Sequence, residues 1–130
     1  MAGSAMRTTL LHFALVAAIA CAAQPALARA AKKGFHGAIA LQRDTGRFGY
    51  AADAPTSRAA KLEALKQCAD PRCEVVANFS NACGALARNP AGGVKGYFHA
   101  TGAVRQEAET KALRLCAARE CEVIAWACTK

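Results

Sequence analysis

Apolar residues in this chain fall into short runs separated by turn-forming residues. Residues 37–40 and 49–50 flank a polar turn at residues 43–46, and residues 84–87 and 96–97 flank a longer turn at residues 88–93. Short apolar runs with such turns between them predict two β-hairpins. Each hairpin leads into a segment whose alanines, leucine and cysteine lie on one arc of a helical wheel, which predicts two helices that include residues 60–68 and 108–116.

A continuous apolar run follows each predicted helix, at residues 75–79 and 123–127. Runs without polar alternation indicate strands that are covered on both faces or set centrally in a sheet. Before the first helix, Thr56 or Ser57 can cap the free backbone N–H groups. The sequence therefore predicts a β-β-α-β order, and it predicts that order twice.

The two β-β-α-β segments are copies of one unit. Cys68 to Ala77 reads like Cys116 to Ala125, 48 positions later, and the hairpins match at 47 positions, with Gly49-Tyr50 opposite Gly96-Tyr97. Such self-similarity reveals the structural unit. We predict an α+β fold with about six strands and two helices. The first repeat covers about residues 35–80, the second covers about residues 82–128, and both share one core around a pseudo-twofold axis within a single domain at residues 31–130.

The first thirty residues have the layout of a secretory signal peptide. Arg7 precedes an apolar run at residues 10–23, and small residues follow at the sites that end in Ala28 and Ala30. The run is shorter than the ~20 residues that a membrane-spanning helix needs. We predict cleavage after Ala28 or Ala30, and we therefore expect the mature protein to be secreted or periplasmic. The alternative is a lipoprotein that is acylated at Cys21.

Loss of the signal peptide removes Cys21 and leaves an even set of cysteines, which in a short exported chain predicts a disulfide framework. Four of them are repeat-related and should pair among themselves. They can pair locally within each copy, which a short loop favours, or crosswise between the copies. The other two have no cysteine at the matching positions, His36 and Ser80, and remain for each other. The six residues are Cys68, Cys73, Cys83, Cys116, Cys121 and Cys128.

The mature chain is basic, with sixteen Lys and Arg against nine Asp and Glu from Arg29 onward, a net charge of +7. Outside the cytoplasm, we expect an anionic envelope component or an acidic exported protein as the partner, and no nucleic acid. The alternative is that the charge only keeps the domain soluble. After signal cleavage no transmembrane segment is predicted.

No catalytic motif is present, and we predict neither a cofactor nor a metal site. Zinc held by four thiolates would need a reducing compartment. The residues that we predict for binding lie on the hairpins, where outward-facing tyrosines beside cations would form a contact surface. They are Arg47, Tyr50, Lys95, Tyr97 and His99.

The repeat and its cysteines resemble a known family. The two Ala-x3-Ala-Leu-x2-Cys helices and the Asn-Ala-Cys-Gly-Ala-Leu-Ala run at residues 81–87 are similar to the family called domain of unknown function 4189. The similarity extends from about Gly37 to Cys128. It implies a small exported bacterial protein with paired cysteines, and it implies no catalytic residue.

These observations predict a secreted or periplasmic, disulfide-stabilised binding module that does not transform its ligand. Its ligand would be an envelope polymer or an exported protein. The alternative is a small exported hydrolase or lyase that uses His99 with a nearby carboxylate. A pocket that holds His99 beside Asp or Glu would favour the enzyme.

Overall fold

The computed structural model describes residues 34–130. The predicted signal peptide, its cleavage after Ala28 or Ala30, and Cys21 lie outside the described residues. The elements, in chain order, are β1 (His36–Gln42), β2 (Arg47–Ala54), α1 (Ser57–Cys68), β3 (Glu74–Ser80), β4 (Cys83–Arg88), a 3-10 segment (Pro90–Lys95), β5 (Tyr97–Gly102), α2 (Arg105–Cys116) and β6 (Glu122–Cys128). The predicted α+β fold with two β-β-α-β units is confirmed.

Each unit forms its own three-stranded antiparallel sheet. The strand orders are β2-β1-β3 and β5-β4-β6, so the first strand of each unit is the central one. The apolar strands β3 and β6 are therefore edge strands. This corrects the prediction that they lie centrally in a sheet. Only one face of each strand is fully covered near its end, because Ala77 and Phe79 of β3 and Ala125 and Ala127 of β6 are buried, whereas Asn78 and Trp126 between them are exposed.

The two sheets pack face to face, and one helix covers the outer face of each. Alternation along β1 shows this layering: Ala38 and Ala40 pack with α1, whereas Ile39 and Leu41 point between the sheets. In the other sheet, Leu86 joins the same central core. Full burial of an aliphatic side chain of this size contributes about 1.5–3 kcal/mol. The predicted core shared by both repeats is therefore the layer between the two sheets.

Small residues let the helices and sheets approach closely. On α1, Ala60 and Ala64 are fully buried against the first sheet. A Cβ at Gly49 of β2 would overlap backbone atoms of α1, including the Ala64 carbonyl oxygen and the Cys68 nitrogen. Glycine is required at this position because the helix backbone lies directly on the strand.

The aromatic ring of Phe79 fills the space between the sheets at one end. A Cβ at Gly37 or at Gly84, which are repeat-related, would collide with this ring. The repeat mate of Phe79 is Ala127, and both are buried in the central core. At this pair of repeat-related positions, one copy therefore places a large side chain in the core and the other copy places a small one.

The helix ends follow local capping rules. Thr56 caps α1, because its Oγ1 accepts a hydrogen bond from the Ala59 N–H at 3.0 Å. At the start of α2, Glu107 accepts from the Ala103 N–H at 2.8 Å. Hydrogen bonds from Lys111 and from that N–H lower the pKa of Glu107.

Both helices end on an alanine in the left-handed region, Ala69 with φ 56° and Ala117 with φ 56°. The N–H groups of these two residues donate to the carbonyls of Leu65 and Leu113. Glycine is the usual residue at this position because an L side chain is strained there. The same strained cap therefore recurs in both copies.

The disulfides follow the local pattern. Bonds join Cys68 to Cys73 and Cys116 to Cys121, and each one links a helix end to the chain just before the next strand. The third bond joins Cys83 to Cys128 across neighbouring strands of the second sheet. Three closed disulfides are typical of an oxidising environment.

The strand register corrects the repeat alignment in the hairpins. Ile39 and Leu86 are mates at the centres of their sheets; Ile39 lies opposite Tyr50, whereas Leu86 lies opposite His99. The structural mate of Tyr50 is therefore His99, and not Tyr97 as the Gly-Tyr match predicted. Because the second turn is longer, residues of β5 lie two positions further along the chain than the simple repeat alignment gives. An irregularity in β2 opposite residues 36–38 adds one residue to β2 and so reduces this difference to one position.

Candidate functional site

Three large aromatic side chains remain exposed along one side of the sandwich. In β2, Gly49 and Ala51 face α1, so alternation turns Phe48 and Tyr50 the other way, and they are 37% and 45% exposed. From β6, Trp126 is 41% exposed. Because β2 and β6 are edge strands on the same side of the two sheets, these aromatics surround a single surface.

This surface is a groove of about 440 Å³, which we call the aromatic groove. Phe48, Tyr50 and Trp126 line it together with the small residues Ala125 and Ala127. The groove therefore brings three exposed aromatic residues together at one place on the described surface.

Trp126 is held in place by an arginine. The guanidinium carbon of Arg105 lies 3.8 Å from the centre of the indole ring, and its Nε donates to Glu109 Oε1 at 2.6 Å. A cation on an aromatic face is attractive by about 0.5–1 kcal/mol at exposed sites. The indole is thus oriented by an arginine that Glu109 itself holds in place.

The ends of the groove are anchored by the fold. The backbone N–H of Tyr50 donates to Gln67 Oε1 of α1 at 3.3 Å, which occupies one free hydrogen-bonding position on the edge of β2. At the other end, Cys128 is bonded to Cys83, and the Lys130 N–H donates to Asp53 Oδ1 at 2.9 Å. The groove is therefore built on elements tied at both ends.

Comparison with known proteins identifies the family. The family model described as Domain of unknown function (DUF4189) matches residues 36–128. The chain belongs to this family.

One solved structure is similar to this chain over nearly its whole length. It is the NMR structure of Rv1813c from Mycobacterium tuberculosis, with 26% sequence identity and a TM-score of 0.57, and the match covers 98% of this chain and 94% of that chain. No curated protein matches the chain. The DUF4189 domain therefore has to be interpreted from its own geometry.

The residues predicted for binding do not form one site in this DUF4189 domain. Arg47 and Tyr50 lie on β2, and Tyr50 lines the aromatic groove. Lys95 ends the 3-10 segment, and His99 lies on β5 at the opposite side of the sandwich. Tyr97 is only 7% exposed and belongs to the central core, so the expected outward orientation holds for Tyr50 and not for Tyr97.

The sequence interpretation missed the exposed positions of Phe48, Trp126 and Arg105. Neither aromatic was among the residues predicted for binding. The apolar run that contains Trp126 looks buried, but its side chain points to the α2 side at a sheet edge, where cover is incomplete. Alternation along β2 is the one signal that could have found Phe48, since it shares a face with Tyr50.

His99 has an arginine rather than a carboxylate as its charged neighbour. Much of the side chain reaches solvent, yet the pKa of His99 is lowered, first by partial burial of the ring and second by the positive charge of Arg43. Within residues 34–130, no hydrogen bond or ion pair joins His99 to Asp or Glu. The part of the chain that the structure describes also contains no group of three His, Cys, Asp or Glu residues able to hold a metal ion.

A serine–histidine contact in the first sheet lies at the position that corresponds to the cross-strand disulfide of the second sheet. Ser80 Oγ lies 2.6 Å from His36 Nδ1, and these residues face each other across β1 and β3. Cys83 and Cys128 face each other in the same way across β4 and β6. The first sheet therefore has a hydrogen bond where the second has a covalent bond, and this equivalence explains the contact as a structural one.

No helix among residues 34–130 is long and apolar enough to cross a membrane.

Proposed function

We propose that this DUF4189 domain is an exported, disulfide-stabilised binding module whose aromatic groove holds a segment of another exported protein. One observation carries the proposal: Phe48, Tyr50 and Trp126 are exposed together around a single groove. Isolated exposed apolar residues are common on monomers, whereas a contiguous cluster is typical of an interaction surface.

The side-chain types favour a protein as the partner. Protein interfaces are enriched in Tyr, Trp, Phe and Arg, and the strongest contributions come from such residues around a pocket that the partner fills. All four types are present here, with Arg105 on the face of Trp126. An envelope polymer is the other ligand expected from the sequence, and the experiment below includes it as a separate arm.

Charge supports an acidic partner. The described residues carry thirteen Lys and Arg against nine Asp and Glu, a net charge of +4, to which the cations between residue 29 and residue 33 add. Opposite charge on a partner speeds association, and the effect weakens as salt rises. We therefore expect binding that is both salt-sensitive and dependent on the groove.

The disulfides and the signal-peptide pattern support an exported location. Three closed disulfides suit an oxidising space, and a signal-peptide pattern precedes the domain. We therefore propose that the mature protein acts in the periplasm or outside the cell. An apolar groove on a basic domain would meet exported proteins and envelope surfaces there.

The hydrolase or lyase alternative has less support. It requires a carboxylate beside His99, and the charged neighbour of His99 is Arg43. An imidazole beside a cation is a weaker base, because its protonated form is disfavoured. The geometry therefore favours binding over acid–base chemistry at this residue.

The test uses the mature, oxidised protein immobilised and exposed to exported proteins and, separately, to envelope polymer fractions of the producing cell. Captured candidates are purified and titrated by calorimetry at two salt concentrations. Tyr50→Ser and Trp126→Ser should each weaken binding of the protein partner about tenfold or more, as at a binding hot spot. The matched control is Leu62→Ser, an exposed apolar residue on α1.

Equal affinities for the groove variants and the control would contradict the proposal. Capture that does not weaken with salt, or that occurs only with polymer fractions, would also contradict the choice of an acidic protein as partner. Circular dichroism of each variant separates lost binding from lost folding.

A further inference from the structure

A second concave surface lies at the end of the first sheet, away from the aromatic groove. This cleft, of about 650 Å³, is bounded by the turn after β1, the beginning of β3 and the 3-10 segment. We call it the hairpin cleft. The charged residues that line it are Arg43, Asp44, Arg72, Glu74 and Lys95.

Gln42 in the wall of this cleft has an unpartnered donor group. The side chain is only 2% exposed, and its Oε1 accepts from the Asp44 N–H at 2.6 Å. This bond orients the amide, and Nε2 is buried with no hydrogen-bond partner among residues 34–130. A buried unsatisfied donor costs about 1–3 kcal/mol, so such a group calls for an acceptor that the described residues do not supply.

The charges around Gln42 match an acceptor with one negative charge. Three cations and two carboxylates line the cleft, so its net charge is +1. Arg72 is paired with Asp44 at 3.4 Å, whereas Lys95 makes no ion pair within the described residues. A single carboxylate would balance this charge and accept from an amide N–H and an ammonium together.

The 3-10 segment that bounds the cleft is weakly attached. None of its residues is buried, and a Cβ at Gly93 would meet no atom within 4 Å. Outward movement of the segment therefore sacrifices little packing. Gln42 and Lys95 both line the cleft, so such a movement would let one ligand lie beside both residues.

We propose that the hairpin cleft is a carboxylate-binding site, in which Gln42 Nε2 and Lys95 Nζ donate to one carboxylate group. Such a group occurs on free small acids and at the C-terminus of a peptide. The proposal is independent of the aromatic groove, because the two surfaces share no lining residue.

The experiment is an NMR titration of the 15N-labelled oxidised protein with acetate and, separately, with N-acetylglycine. The first represents a small free acid, and the second represents a peptide terminus. The side-chain NH2 signals of Gln42 and the backbone signals of residues 94 and 95 should shift together and saturate. Lys95→Gln should weaken this binding about tenfold, as expected for one hydrogen bond to a charged group.

The matched control is Lys111→Gln, which removes the same charge from α2, outside the cleft. Its affinity for both probes should equal that of the unmodified protein. Saturation by N-acetylglycine alone would identify a peptide C-terminus as the ligand. Saturation by acetate with equal affinity would show that any free carboxylate is sufficient. The proposal is overturned if the Gln42 NH2 signals stay fixed, as they would with an internal water, or if chloride at matched ionic strength gives the same shifts.

Discussion

Replacement of both His36 and Ser80 with cysteine should create a fourth disulfide in this domain. His36 and Ser80 face each other across β1 and β3 and are in hydrogen-bonding contact at 2.6 Å. Their mates, Cys83 and Cys128, occupy the same positions in the second sheet and are bonded. If the two halves are equivalent, cysteines at 36 and 80 have the geometry that a disulfide requires.

The magnitude follows from the loop that the new bond closes. The native bond joins cysteines 45 positions apart. For a loop of about 45 residues, the chain-entropy model gives about 4 kcal/mol of stabilisation at 25 °C. Loss of the His36–Ser80 hydrogen bond removes about 1 kcal/mol. We therefore expect the free energy of unfolding to rise by about 3 kcal/mol.

Urea denaturation of the oxidised proteins measures this difference, and mass spectrometry after alkylation confirms that the bond has closed. The control is the double variant His36→Ala with Ser80→Ala, which loses the hydrogen bond alone and should be less stable by about 1 kcal/mol. Cysteines 36 and 80 that remain open to alkylation in the folded protein would refute the equivalence of the two sheets. A closed bond with unchanged stability would refute the loop-entropy argument.

Three further predictions concern single residues. Gly49→Ala should destabilise the fold by about 1–3 kcal/mol, because the added Cβ would overlap the backbone of α1. Thermal unfolding measures this loss, and the control Gly92→Ala, whose added Cβ has its nearest neighbour at 3.7 Å, should change it little. Ala117→Gly should stabilise by about 0.5–1 kcal/mol because it relieves a left-handed alanine; a loss of stability equal to that of Ala118→Gly would contradict this strain. In an NMR pH titration, His99 should have a pKa below its usual value, and Arg43→Gln should raise this pKa only partly, because burial is the larger cause. With a lowered folded-state pKa, protonation favours the unfolded chain. The contribution of His99 to stability is therefore present above the unfolded-state pKa and should be lost as pH falls from there through the folded-state pKa, and His99→Gln should remove that dependence.

The local pattern of the sequence was sufficient for the elements and their order. Hairpin turns, cap residues and the spacing of alanines act over a few neighbouring residues, so they can be recognised without the fold. Duplication then showed which elements correspond, and the short separation of Cys68 from Cys73 correctly favoured the local disulfide. The family resemblance read from the sequence is also confirmed.

The aromatic groove could be predicted only in part. Tyr50 was expected at a contact surface, but Trp126 was not among the residues predicted for binding, and Tyr97 was expected to face outward. Whether an apolar side chain is covered depends on which strand lies at the sheet edge and which sheet lies opposite, and neither is a local property. In the same way, the mate of Tyr50 became known only from the pairing of β2 with β1 and of β5 with β4.

The amino-acid sequence by itself determined the duplicated β-β-α-β order, the N-terminal cap of α1 and the set of cysteines. The order and the cap depend on contacts between near neighbours in the chain. Tertiary structure alone decided that the two sheets stack face to face, that Phe79 fills the space between Gly37 and Gly84, and that β2 and β6 leave their aromatics uncovered. The physical reason is that these features depend on packing between the two copies, where one large side chain excludes another and a two-residue difference in a turn changes which residues meet.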